Sequence, residues 1–146
     1  MLLWRISRHL DLRGEGGRRA SGRWNLAGAP VVYTSDSAAC ALLETTVHIT
    51  AEDVPPTFTL LRIVGPEIVA DEISPDDLPL KWMNEPGFTQ QIGANWLESR
   101  HSALLRVPSV MVTETWNYLL NPMHPDAALL KIERAYEYPF DLRLKH

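Results

Sequence analysis

Residues 30–49 constrain the fold most. Pro30-Val31-Val32-Tyr33-Thr34 is a short β-branched and aromatic run, and the stretch 37–49 that follows holds neither glycine nor proline. Ser35 or Asp36 supplies an N-cap between them, so a strand is followed directly by a capped helix. Helical spacing puts Ala39, Leu42, Leu43, Thr46 and Val47 on the apolar side, while Cys40, Ala41 and His48 flank Glu44. A carboxylate bordering the core costs free energy unless it is paired or wet. Glu44 therefore either pairs with an arginine or lines a cleft.

Elsewhere the chain reads as short β-rich runs with one further helix. Residues 1–6 alternate weakly, as an edge strand does, and the Gly14, Gly16, Gly17 run reads as a mobile loop. Residues 58–64 and 67–73 read as strands parted by Gly65-Pro66, before an acidic, proline-rich connection at 74–79. Phe88, Ile92 and Trp96 recur every fourth residue and predict a helix ending near Arg100 or Ser102. Runs at 103–107 and 110–113 predict strands, with Ser109 at an irregular point beside Pro108. Residues 117–126 read as a polar, proline-stiffened turn, and 129–144 as strand and extended chain. No repeat or linker divides the 146 residues, so the expectation is one domain spanning 1–146.

Charge and cysteine content exclude several classes. A formal net charge of -4 gives no global attraction to nucleic acid or to an anionic membrane surface. Any anion must instead be held locally, and six of the 14 basic residues (Arg5, Arg8, Arg13, Arg18, Arg19 and Arg23) lie ahead of the Pro30 run. Cys40 is the only cysteine, so neither an intramolecular disulfide nor a cysteine-based zinc site can form. The histidines at 9, 48, 101, 124 and 146 lack metal-ligand spacing, and no metal is expected. With no export or membrane-spanning pattern, the expected location is the cytoplasm.

Catalytic motifs of the common kinds are missing: there is no Gly-x-Ser-x-Gly elbow, no His-Glu-x-x-His helix and no phosphate-binding Gly-Lys-Ser/Thr loop. Arg23, in Ser21-Gly22-Arg23-Trp24-Asn25, either grips a phosphate with its guanidinium fork or stacks on Trp24 at the surface. Tyr33 either offers a ring face to a flat heterocycle or is an ordinary core tyrosine. Ser109 has no adjacent base, which leaves an orienting hydroxyl or a plain turn serine.

Taken in order, several short stretches together resemble the RES domain family, named for an arginine, a glutamate and a serine. They are Trp4-Arg5, Ser21-Gly22-Arg23-Trp24-Asn25, Tyr33-Thr34-Ser35, Leu42-Leu43-Glu44, Val107-Pro108-Ser109 and the segment 117–126. The resemblance runs over residues 4–144. It implies an α+β fold in a single domain, with an ADP-ribosyltransferase-like split β-sheet core and flanking helices.

It further implies the toxin of a bacterial toxin–antitoxin pair that degrades NAD by cleaving the nicotinamide–ribose bond, with water or phosphate as acceptor. Other members transfer ADP-ribose to a protein, and a non-catalytic module that only binds its partner is a further reading. By this resemblance Arg23, Glu44 and Ser109 are catalytic, and Arg5, Tyr33, Asn121 and His124 contact NAD. NAD is then the substrate and no separate cofactor is needed. The implied partner is an Xre-type helix-turn-helix antitoxin, in a complex with room for a homodimer of the toxin.

Overall fold

A computed structural model describes residues 1–145; His146, one of the five histidines, lies outside them. Seven strands form a single mixed sheet. They are β1 (Leu2–Ile6), β2 (Val32–Ser35), β3 (Thr57–Val64), β4 (Asp71–Glu72), β5 (Leu104–Pro108), β6 (Trp116–Leu120) and β7 (Lys131–Pro139). Their spatial order is β4-β5-β6-β2-β1-β3-β7, antiparallel throughout except for the β4–β5 pair. The helices are α1 (Glu15–Arg19), α2 (Ala38–Thr46) and α3 (Pro86–Ser99).

Successive residues of a strand point to opposite faces, and both faces of this sheet are apolar. Leu105, Val107, Leu119 and Val31 pack with Trp96 and Leu97 of α3 and with Trp24 and Trp82. Their chain neighbours Leu104, Leu120 and Val32 join Leu3, Leu61 and Ile63 on the other face. Each such leucine contributes roughly 2 kcal/mol on removal from water. The α3 face closes tightly: a Cβ on Gly93 would lie 1.6 Å from the Trp24 carbonyl oxygen, so only glycine lets the helix and the Arg23-Trp24 segment touch.

The sheet is nearly parted at one seam. Strands β1 and β2 share a single residue pair, Trp4↔Ser35, whereas β1 pairs with β3 over five residues and β2 with β6 over four. The two strands therefore diverge within one continuous sheet, and the single-domain α+β expectation holds. Helix α2 packs across both strands at this seam. Its N-cap is Ser37, whose Oγ accepts from the Cys40 N–H at 3.0 Å, rather than Ser35 or Asp36.

Several local expectations differ from the structure. Strand β1 is interior rather than an edge, because β3 supplies its second neighbour. The stretch 116–120 is strand, not turn: β2 and β5 use both sides of its backbone, which outweighs its turn-forming asparagine. Residues 110–113 form the loop between β5 and β6, and 67–73 contributes only the two residues of β4. Residues 15–19 are helical instead of mobile loop, with Gly14 at φ 75° and Gly17 pressed on Val31, where a Cβ would meet a side-chain carbon at 2.4 Å. Helix α2 buries only part of the face its hydrophobicity suggests, with Thr46 covered and Leu42 half-buried as expected, and turns the rest toward Cys40 and Ala41. Cys40, Ala41 and Thr46 are covered, while Ala39 is exposed, Leu43 is 42% exposed and Val47 50%. The close fit against the sheet admits small side chains there.

Candidate active site

A cavity of about 380 Å³ opens at the β1–β2 seam, lined by Trp4 and Arg5 of β1, Tyr33 and Ser35 of β2, Arg23, Glu44 and Asn117 among others. That volume lies within the roughly 300–1,000 Å³ typical of small-molecule sites. Glu44 sits on the inward side of α2, one turn beyond Cys40 and Ala41.

The acidic side of the cavity is fully assembled. The Ser109 hydroxyl donates to Glu44 Oε1 at 2.7 Å, and Asn117 Nδ2 donates to the same oxygen at 2.8 Å. Asn117 is itself held, because Ser35 Oγ donates to its Oδ1 at 2.7 Å across a directly paired position of β2 and β6. Ser109 is 1% exposed, and its Oγ accepts from the Met111 N–H at 3.2 Å, which ties the carboxylate to the β5–β6 loop. Cys40 Sγ lies 3.6 Å from Asn117 Oδ1, and burial pushes its thiol above the ordinary cysteine value. It packs as a neutral side chain.

The basic side is incomplete. Arg5 Nη1 is buried with no hydrogen-bond partner among the described residues. Burial pulls this guanidinium below its ordinary pKa, with the Asp11 carboxylate acting the other way. A buried cation left without a partner is costly. Arg23 Nη1 donates to the Met83 carbonyl at 2.8 Å, which aims the side chain without neutralising it.

The backbone that carries Arg23 is clamped on three sides. Thr89 Oγ1 donates to the Arg23 carbonyl, Gln90 Nε2 donates to the Gly22 carbonyl at 3.0 Å, and the Trp24 N–H donates to the Tyr33 hydroxyl at 3.0 Å. The Tyr33 hydroxyl donates in turn to Asn25 Oδ1 at 2.6 Å. Burial pushes this phenol up to about 12, against smaller opposing effects of the Trp24 N–H and the Arg23 charge. Tyr33 thus has a satisfied core hydroxyl while lining the cavity. Gly22 is needed for this clamp, since a Cβ there would come within 2.7 Å of the Tyr33 hydroxyl.

Of the residues singled out in the sequence, Arg5, Arg23, Tyr33 and Glu44 line one cavity, and Ser109 stands behind Glu44. Asn121 and His124 are not brought to it. Asn121 is 1% exposed, donates to the Leu97 carbonyl at 3.1 Å and accepts from the Met123 N–H, fastening the chain after β6 to α3. His124 Nδ1 accepts from the Asp126 N–H at 3.0 Å and caps a 3₁₀ turn. The structure places both outside this cavity and in these structural bonds. Asn117 and Ser35 were missed as parts of the acidic side, and only the β2–β6 register reveals their pairing.

The family model described as the RES domain matches residues 2–141. The chain belongs to the RES domain family. This RES domain is 46% identical over 135 residues to Toxin Res of Pseudomonas putida, covering 91% of this chain and 92% of that protein. It is 40% identical over 139 residues to the Prs ADP-ribosylating toxin of a Sphingobium species, covering 92% and 86%. These relatives are toxins across its length, and so is this RES domain. Its fold is similar to a chain in the MbcT–MbcA toxin–antitoxin complex of M. tuberculosis, with a TM-score of 0.78 at 18% identity, covering 94% of this chain and 84% of that one. No helix among the described residues is long and apolar enough to cross a membrane.

Proposed function

We propose that this toxin consumes NAD by breaking the nicotinamide–ribose bond. One observation carries the reading: a single carboxylate, held by two hydrogen bonds on one oxygen, shares a cavity with two guanidinium groups that lack an acidic partner among the described residues. A dinucleotide needs both charges. Arg5 and Arg23 take the diphosphate, for which the guanidinium fork is suited. As nicotinamide leaves, positive charge develops on the ribose, and Glu44 stabilises it through Oε2, the oxygen its two donors leave open. Ser109 and Asn117 keep that carboxylate in place, so no reorganisation is needed when the charge appears. Trp4 and Tyr33 offer flat apolar surface to the rings.

The same bond breaks when ADP-ribose is passed to a protein, and the Sphingobium relative is named for that reaction. Protein transfer is therefore the second reading. In this proposal NAD is the substrate and no further cofactor takes part. The cytoplasm supplies the NAD, and an antitoxin of the Xre helix-turn-helix type restrains the enzyme, as the MbcT–MbcA complex supports for a partner in general.

The test is to incubate the purified chain with NAD labelled in its adenylate half, with and without phosphate and cell extract, and to follow nicotinamide and the fate of the label. Nicotinamide release is expected, with label in a free ribosyl product; label fixed on a protein selects the second reading. Glu44→Gln should lower release on the order of a hundredfold, the scale of one lost transition-state contact, while melting at the wild-type temperature. Release that persists at full rate in this variant removes Glu44 from the reaction.

A further inference from the structure

An aromatic row starts in the cavity and runs out of it. Trp4 lines the cavity, its direct partner on β3 is Arg62, and Arg62 pairs in turn with Arg134 of β7. Alternation along β3 and β7 puts Phe58, Tyr136 and Tyr138 on that same face of the sheet. Ring centroids follow one another at 6.5 Å from Trp4 to Tyr136, 6.2 Å from Tyr136 to Tyr138 and 5.7 Å from Tyr138 to Phe58. Tyr138 is 45% exposed, and Phe58 and Tyr136 are half-buried. The solvated face of an antiparallel sheet is ordinarily polar, so an apolar track there marks a contact surface.

Its composition says what kind of partner fits. Tryptophan, tyrosine, phenylalanine and arginine are the residues enriched where proteins bind one another. Arg62 lies over Trp4 at 5.8 Å and Arg134 over Tyr136 at 4.5 Å, while Tyr138 stacks at 25° on both Tyr136 and Phe58. The ring faces on which nucleobases would stack are therefore occupied already. What the track offers is ring edges and charge. Glu133 engages Arg62 at 3.5 Å, whereas Arg134 is exposed and has no ion pair among the described residues. The surplus is positive, and its complement is an acidic protein segment.

We propose that this track docks a protein acceptor of ADP-ribose, through an acidic segment that also carries apolar side chains. The inference rests on the proposed cleavage and supplies its acceptor. A partner lying on the track meets the cavity at Trp4. There the ribose carbon exchanges its bond to the nicotinamide nitrogen for one to a nucleophilic oxygen or nitrogen of the acceptor. Nicotinamide departs neutral with the bonding electron pair, and the acceptor's proton passes to water.

The test separates docking from cleavage. Wild type, Arg134→Glu, Tyr138→Ser and Glu137→Ala, the last exposed on the opposite face of β7, are each given NAD labelled in its adenylate half. One arm is run in buffer and follows nicotinamide release; the other is run in cell extract and follows label fixed on protein. Arg134→Glu and Tyr138→Ser are expected to lower protein labelling about tenfold, the scale of one interface contact, and to leave release in buffer unchanged. Added salt should weaken labelling by wild type more than by Arg134→Glu, and Glu137→Ala should behave as wild type. The proposal is overturned if both variants label protein at the wild-type rate, or if release in buffer falls along with labelling. Label that nuclease removes names a nucleic acid as acceptor, and variants that label normally but sediment as a smaller species make the track a contact between copies of the chain; either result overturns it as well. Wild type that releases nicotinamide and labels no protein overturns this inference alone, whereas wild type that releases none overturns the proposed cleavage with it.

Discussion

Glu44 and Arg5 line the same cavity, yet one has two hydrogen bonds converging on Oε1 and the other a buried Nη1 with none among the described residues. The acidic side continues inward through Asn117 to Ser35 and through Ser109 to the β5–β6 loop, each link at 2.7 to 3.2 Å. The basic side stops at two cations, of which only Arg23 is fastened, to the Met83 carbonyl. Under the proposed reaction the contrast matches when each charge is needed. Positive charge on the ribose exists only in the transition state, so its counter-charge gains by being fixed beforehand. In the same reading the diphosphate is charged from the start, and a bound dinucleotide would complete the basic side.

The largest effect expected of this contrast comes from cutting the acidic side one step behind Glu44. Asn117→Ala removes one of the two donors to Oε1 and releases Ser35, so the carboxylate gains freedom to move. Turnover should fall about ten- to a hundredfold, the scale of a displacement of order 1 Å in a catalytic group, while KM for NAD changes little because the arginines are untouched. Steady-state kinetics give both numbers. If KM rises and kcat stays, the acidic side serves binding, and the distinction between the two sides disappears.

What could be read in the sequence divides along the same line. Arg5, Arg23, Tyr33 and Glu44 stand in short local contexts whose charge or aromatic character is visible without a fold. Asn117 was invisible as a positioning residue because its partners, Ser35 and Glu44, are 82 and 73 positions away, and only the strand register brings them together. The same residue misled the reading of 116–120, where local turn preference yields to a strand paired on both sides. Asn121 has the polarity of a ligand-binding residue, but the Leu97 carbonyl takes its amide. Helix α2 is legible in the sequence and its buried face only in part, Thr46 but not Leu43 or Val47, since the number of apolar carbons says nothing of how close the sheet lies. Strands β2 and β3 were legible because they are short, β-branched and bounded by turn formers.

Tyr33 gives a smaller effect that probes the floor shared by both sides. Its phenol is pushed up to about 12 in the fold by burial, against about 10 in an unfolded chain. The unfolded state therefore sheds this proton first as pH rises. Stability from the buried neutral phenol is complete below about pH 10 and is lost between about 10 and 12, by roughly 3 kcal/mol. Tyr33→Phe leaves the Trp24 N–H and Asn25 Oδ1 without their partner, so it starts less stable at neutral pH. Its melting temperature should nevertheless fall less steeply than wild type across the alkaline range. Parallel curves would mean that the phenol is solvated in the native state and does not brace the Arg23 segment.

The smallest effect has the sign that most directly separates the two sides. Arg5→Met keeps a long, flexible side chain and deletes the charge whose Nη1 lies buried without a partner. Removing an uncompensated buried cation in favour of apolar volume stabilises a fold. The substrate-free protein should therefore gain about 1 kcal/mol, a rise of a few degrees in melting temperature for a chain of this length. The Asp11 carboxylate, which acts against the effect of burial on Arg5, keeps that gain small. If the proposed function holds, NAD stabilises wild type against heat by mass action and no longer does so in this variant. Replacing Glu44 by an apolar residue has the opposite consequence, because Ser109 and Asn117 would each keep a donor with nothing to receive it. A basic side that awaits its ligand thus predicts a variant that is more stable and cannot bind. If Arg5→Met melts lower than wild type, its guanidinium is already satisfied in the native state and the diphosphate must be held elsewhere.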